Sequence, residues 1–234
     1  ALVAKKIVAT LGLPYEIEGK QLHTTPSVGI SLFPANGEDA DALMKNADTA
    51  MYYAKEKGRN NFQFFSPAMT AAATERLELE RDLRSALTNH EFELHYQPQV
   101  CASEGLVRGV EALIRWRHPE RGLIPPLKFI PIAEETGVIE AIGTWVLNEA
   151  CRQMAAWREA GFALQHVAVN VSAHQLRSPD LVSQVQAAIA RFGLSPGELE
   201  LEITESVAME DPERAIDQLR TLCDSGVVLA IDDF

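Results

Sequence analysis

Cysteine is scarce in this 234-residue chain: the three present, Cys101, Cys151 and Cys223, are odd in number and share no C-x-x-C spacing. A disulfide framework, a cysteine-held zinc and a dithiol redox pair therefore find no support, and a reducing cytosol is the natural setting. Long apolar runs are also missing. No stretch approaches the ~18 consecutive apolar residues that a membrane span needs, and no basic-then-apolar leader follows Ala1. The segment is expected to sit in water.

A basic patch is lacking as well. The net charge is −12, and it is unevenly spread: residues 1–66 hold seven basic and seven acidic groups, residues 67–234 hold 14 and 26. Such acidity argues against a nucleic-acid polymer as partner, since those surfaces cluster Lys and Arg. Several catalytic signatures are absent too. No H-E-x-x-H joins the six histidines, no G-x-S-x-G offers a serine elbow, and no G-x-x-x-x-G-K-[ST] loop offers a triphosphate cradle.

What is present is a 47% hydrophobic α/β chain. Residues 1–66 begin with "ALVAKKIVATLG", apolar at helix spacing up to Gly12, followed by strand-like "YEIEG" and "SVGISLF". Asp39 then stands at an N-cap position, with Leu43, Ala47, Met51 and Ala54 on one helical face before Gly58 and "RNNFQFF". Residues 67–88 carry no turn residue after Pro67 and read as one charged connecting helix.

Residues 89–234 open with an antiparallel pair, "EFELHYQPQV" and "VRGVEALIRW", joined by a short hairpin. A long helix around Ile139–Ala160 and the strand "HVAVNVS" follow. Next come a helix capped by Ser178, the strand "ELELEIT", a helix begun by "DPERA" and the strand "VVLAIDDF". Strands alternating with helices should be parallel.

Near the carboxyl end of each strand stands one polar residue: Glu111, Asn170, Glu202 and Asp232. That is the end at which α/β folds assemble their sites. Period-2 alternation turns Asn170 away from Val167, Val169 and Val171, and Glu202 away from Leu201 and Ile203, so the polar set can converge on one interior. A single strand-end acid is more often a solvated rim than a ligand, but four in register are harder to dismiss. Oxygen ligands of this kind suit Mg²⁺ or Mn²⁺ better than zinc. Arg115 shares the face of Glu111, roughly 13 Å further along the strand, where it could meet a phosphate.

These residues closely resemble the EAL family of bacterial cyclic-di-GMP phosphodiesterases. The motifs are "YQP" at Tyr96–Pro98, "EALIRW" at Glu111–Trp116, "FIPIAEETG" at Phe129–Gly137, "NVS" at Asn170–Ser172, "LEITES" at Leu201–Ser206 and "DDF" at Asp232–Phe234. Residues 1–66 resemble the C-terminal part of a GGDEF (diguanylate cyclase) domain, through "SVGIS" and "LMKNADTAMYYAKEKGRN". The GGDEF signature and the upstream RxxD inhibitory site fall outside the 234 residues.

The resemblance implies a partial GGDEF domain followed by a partial EAL-type (β/α)8 TIM-like barrel with an antiparallel first strand. In it the chain would stop after strand five, and the fragment alone would be inactive because the family's catalytic lysine and a later glutamate and glutamine lie beyond Phe234. By resemblance Glu111, Asn170, Glu202 and Asp232 match metal ligands, with Asp233 at a second metal. Gln97 and Arg115 match substrate contacts, and Glu205 matches a catalytic-site glutamate that braces the metal loop. Lys55 and Arg59 match nucleotide-phosphate contacts of the cyclase family.

The implied reaction opens cyclic-di-GMP to linear pGpG with Mg²⁺ or Mn²⁺. Two other readings stand beside it: a degenerate EAL domain that binds cyclic-di-GMP as receptor or regulator, and a parent acting mainly as diguanylate cyclase. A homodimer through the EAL domain is a further expectation. So are an upstream sensory domain and a membrane tether in the missing N-terminal region of an otherwise cytoplasmic parent.

Overall fold

A computed structural model describes residues 1–17, 19–204 and 212–232, and of Lys20, Thr204, residues 212–215 and Asp232 it describes the backbone alone. The chain divides into two compact units, Ala1–Glu78 and Leu79–Phe234. The division falls inside a 20-residue helix, α3, at Pro67–Ala86.

The first unit contains helix α1 (Leu2–Leu11), a hairpin of β1 (Tyr15–Ile17) and β2 (Lys20–Leu22), strand β3 (Ser27–Ile30), helix α2 (Ala40–Glu56) and strand β4 (Asn61–Phe64). Strands β3 and β4 pair in parallel. Asp39 caps α2 as expected, its Oδ1 accepting from the Ala42 amide at 2.7 Å. Gly29 lets α2 lie directly on β3, because a Cβ there would stand 1.9 Å from the Ala47 carbonyl oxygen.

In the second unit, β5 (Phe92–Val100) and β6 (Val107–His118) form the expected antiparallel pair, and β7 (Gly122–Ile124) adds a short return along β6. Beyond them β8 (His166–Asn170), β9 (Leu199–Thr204) and β10 (Val228–Asp232) continue one sheet in the order β10-β9-β8-β6-β5. The pairs β6–β8, β8–β9 and β9–β10 are all parallel. Between them run α4 (Pro126–Thr136), α5 (Ile139–Glu159), α6 (Ala173–Arg177), α7 (Leu181–Phe192) and α8 (Pro212–Asp224).

Sequence periodicity missed four of these elements. Helix α4 hides in a proline-rich stretch: Pro126 fills its first turn, where no amide partner is needed, but Pro131 lies inside it and breaks the usual signal. Helix α6 and strands β2 and β7 are three to five residues long, too short for a period to register. Helix α7 starts at Leu181, after Asp180; Ser178, expected as its cap, stands just before it with an extended backbone, and its Oγ accepts from the Asp180 amide at 3.4 Å.

One face of the sheet is apolar. Val110, Ala112 and Trp116 of β6, Val167 and Val169 of β8, and Leu199, Leu201 and Ile203 of β9 are buried in a single cluster with Phe129 of α4 and Ile142, Leu147 and Met154 of α5. Trp116 is fully buried, edge-on to Phe129 at 5.7 Å between centroids, and its Nε1 donates to Glu91 Oε2 at 2.9 Å. This face anchors the β6–β8–β9 register, since a one-residue slip would turn its apolar set to the other side. Trp116→Ala in the full-length parent should lower stability by about 3–5 kcal/mol. The check is the urea midpoint, and a loss below about 1 kcal/mol would remove Trp116 from the core.

Candidate functional site

On the opposite face the strand register gathers the polar residues. Gln97 pairs with Glu111, Glu111 with Ala168, Asn170 with Glu202, and Glu202 with Ala230, so all their side chains lie on one side of the sheet. Glu111 and Asn170 touch: the amide Nδ2 donates to Glu111 Oε1 at 2.7 Å. Glu202 is buried, only 8% exposed. The backbone of Asp232 stands opposite Thr204, one pleat beyond the Glu202–Ala230 pair. Glu205 and Asp233 lie outside the described residues.

The turn after Asn170 is locked locally. Ser172 accepts from the Gln175 amide and donates to Gln175 Oε1, which also accepts from the Ser172 amide at 3.2 Å, a capping box that opens α6. Gln175 can be buried there because α5 presents Gly143; a Cβ at that position would lie 2.0 Å from Gln175 Nε2. Asn170 is one of the residues lining a largely apolar cavity of about 300 Å³, with Leu113, Ile130, Ile142 and Gln175 among the others.

A second polar layer lies beneath, and the sequence reading did not find it. Gln99 Nε2 donates to Glu202 Oε1 at 3.1 Å, His166 Nε2 lies 2.7 Å from Gln99 Oε1, and Glu200 Oε2 lies 3.8 Å from the same ring nitrogen. The available signal was Gly109, an isolated glycine inside strand β6. A Cβ there would sit 2.2 Å from His166 Nε2, so the glycine makes room for the ring.

Two arginines of β6 share the face of Glu111, with different surroundings. Arg117 grips Glu93 through two hydrogen bonds, Nε to Oε2 at 2.8 Å and Nη2 to Oε1 at 2.7 Å. Arg115 donates to the neighbouring Ile114 carbonyl at 2.8 Å, and among the described residues no carboxylate pairs with it. Lys55 and Arg59 belong to the first unit. Both are exposed at the C-terminal end of α2, Arg59 with a left-handed backbone at φ 56°.

Carboxylates from Glu111 and Glu202 and a carboxamide from Asn170 offer oxygen and neither thiolate nor imidazole, a donor set that fits a hard divalent cation. The Asn170 amide would present Oδ1 after a half-turn, which costs no change of shape. Among the described residues no three His, Cys, Asp or Glu side chains gather closely enough to hold an ion by themselves.

The EAL domain matches the chain over residues 80–234, and the diguanylate cyclase GGDEF domain matches it over residues 1–61. The chain belongs to the EAL domain family. Its fold class is accordingly a partial GGDEF unit followed by an EAL-type, TIM-like barrel segment. The bifunctional diguanylate cyclase/cyclic di-GMP phosphodiesterase MucR of Pseudomonas aeruginosa is 47% identical over 234 residues, covering 100% of this chain and 34% of MucR. The cyclic di-GMP phosphodiesterase NbdA of the same species is 41% identical over 233 residues, covering 100% of this chain and 30% of NbdA. The chain therefore spans about a third of these relatives. A solved structure of the PaMucR phosphodiesterase in complex with c-di-GMP is similar at TM-score 0.65 and 50% identity, over 67% of this chain and 64% of that one. In this EAL chain, among the described residues, no helix is long and apolar enough to cross a membrane.

The EAL unit's exposed ion pair has a measurable acid signature. The Arg117 guanidinium, and after it the His95 ring, hold the Glu93 carboxyl down to about 2 from an ordinary 4.5. A depressed folded pKa gives stability that is complete above about pH 4.5 and is lost as pH falls from there toward about 2. The stability gap between wild type and Arg117→Gln should narrow through that window, as read from urea midpoints in a pH series. A gap that widened on acidification would reverse the assignment.

Proposed function

We propose that this chain is part of a metal-dependent phosphodiesterase that hydrolyses cyclic-di-GMP to linear pGpG. The observation that carries the reading is the row Gln97, Glu111, Asn170 and Glu202 on one sheet face, with Glu111 and Asn170 in contact and Arg115 on the same face of β6. The relatives named as cyclic di-GMP phosphodiesterases support the same substrate.

In this reading Glu111, Asn170, Glu202 and Asp232 hold a Mg²⁺ or Mn²⁺ ion, with Asp233 serving a second. When bound, such an ion draws charge from the phosphodiester and acidifies a water. Arg115, whose guanidinium has no carboxylate partner among the described residues, binds a phosphate oxygen pair through its planar fork. Gln97, opposite Glu111 on β5, donates or accepts at the substrate edge, and Glu205 is assigned to the catalytic site. The attacking water adds to phosphorus while the bridging ester oxygen leaves, which opens the ring.

We assign residues 1–66 to the GGDEF-like part, where Lys55 and Arg59 would meet nucleotide phosphates, residues 67–88 to the connecting helix and 89–234 to the EAL part. A parent with an upstream sensory domain, a membrane tether there and pairing through its EAL unit fits relatives of which this chain spans about a third.

In the full-length parent, Glu111→Ala should abolish hydrolysis of cyclic-di-GMP while circular dichroism stays unchanged, and exhaustive chelation should silence the wild type. Turnover by the mutant, or by the chelated enzyme, would end the metal reading. Arg115→Ala should weaken cyclic-di-GMP binding about ten- to a hundred-fold, as expected for a lost charge-assisted contact, with Mn²⁺ affinity kept. Calorimetry is the check. Unchanged nucleotide affinity would place the phosphate elsewhere, and tight binding without turnover in the wild type would favour a receptor.

A further inference from the structure

The sheet order sets Gln99 on β5 three strand positions from Glu202 on β9. At about 4.8 Å per strand a flat sheet would hold their backbones roughly 14 Å apart. Curl of the sheet and the reach of two long side chains close that gap, and the hydrogen bond forms at 3.1 Å. We infer that Gln99 is a positioning residue for Glu202, that His166 fixes its amide orientation, and that the pair sets how tightly Glu202 holds a divalent cation. The inference rests on the metal reading proposed above.

Donor and acceptor counting makes the chain directional. A carboxylate only accepts, so the Gln99 NH₂ must face Glu202 and its Oε1 must face away. The group met there, at 2.7 Å, is His166 Nε2, which must then carry the proton and donate. An amide reversed by a half-turn would set oxygen against oxygen at Glu202 and lose that bond. Gly109 admits the ring at this spot, since any side chain on β6 there would overlap Nε2. Glu202 itself is 8% exposed, so water cannot easily replace Gln99 as its orienting partner. Outer partners of this kind fix the rotamer of a ligating carboxylate, and their loss costs roughly ten- to a hundred-fold in metal affinity.

The test titrates Mn²⁺ into the full-length parent at fixed pH, reading free ion by electron paramagnetic resonance, with a thermal melt of each variant. Gln99→Met keeps the side chain's length and removes the amide. It should weaken Mn²⁺ binding about ten-fold or more, with KM for cyclic-di-GMP unchanged at saturating Mn²⁺. His166→Leu should weaken Mn²⁺ in the same direction, and His166→Gln, whose amide can still donate to Gln99, should restore affinity to within about two-fold. This His166 pair decides the matter if Gln99→Met loses its cooperative melt. Mn²⁺ affinity equal in wild type and Gln99→Met, or equal in His166→Leu and His166→Gln, overturns this inference alone. A wild-type parent that bound no Mn²⁺ would overturn the metal reading and this inference with it.

Discussion

Strands hydrogen-bonded in register put the side chains of each partner pair on the same side of the sheet, and successive residues on opposite sides. In the EAL unit this constraint does two jobs at once. The apolar residues Val167 and Val169 of β8 and Leu199, Leu201 and Ile203 of β9 go to the helix-covered face. Asn170 and Glu202 then have no choice but the other face, where Glu111 meets Asn170. The candidate site is thus held in place by the hydrophobic core behind it. A register slip would bury the carboxylates and expose the valines, a double penalty that keeps the pairing unique.

Curvature adds what register cannot. A twisted sheet flanked by helices curls, and the curl brings β5 and β9 close enough for Gln99 to reach Glu202 across β6 and β8. Small residues permit it. Ala168, fully buried between Glu111 and Glu200 in the register, and Gly109 leave the inner face room for the His166 ring and the two long side chains. The face that assembles the polar row is therefore shaped from below by a glycine and an alanine that carry no chemistry themselves.

Electrostatics on the same strand separates two neighbouring arginines. Arg117 has its charge met by Glu93, cross-strand on β5, whereas Arg115 lies two residues earlier with only a backbone carbonyl for company among the described residues. Period-2 geometry places both on the face of Glu111, so their difference comes from the partner strand. Register sets Glu93 opposite Arg115, yet Glu93 reaches diagonally to Arg117, leaving the guanidinium nearer the candidate site without a carboxylate.

Much was readable from the chain alone. Alternation in "HVAVNVS" and "ELELEIT" named the buried and polar faces, Asp39 announced its helix, and the ordered motifs from "YQP" to "DDF" pointed to the EAL family. Those signals are local, repeated over several residues or matched as short strings, so they survive without coordinates. Others needed the tertiary structure. Pro131 and the five-residue span of α6 concealed two helices, since neither leaves a full apolar period. The Gln99–His166–Glu202 layer joins residues up to 103 apart, on strands that are not neighbours in the sheet. No periodicity encodes such a contact; only the curl of the folded sheet decides that an amide on β5 ends beside a carboxylate on β9.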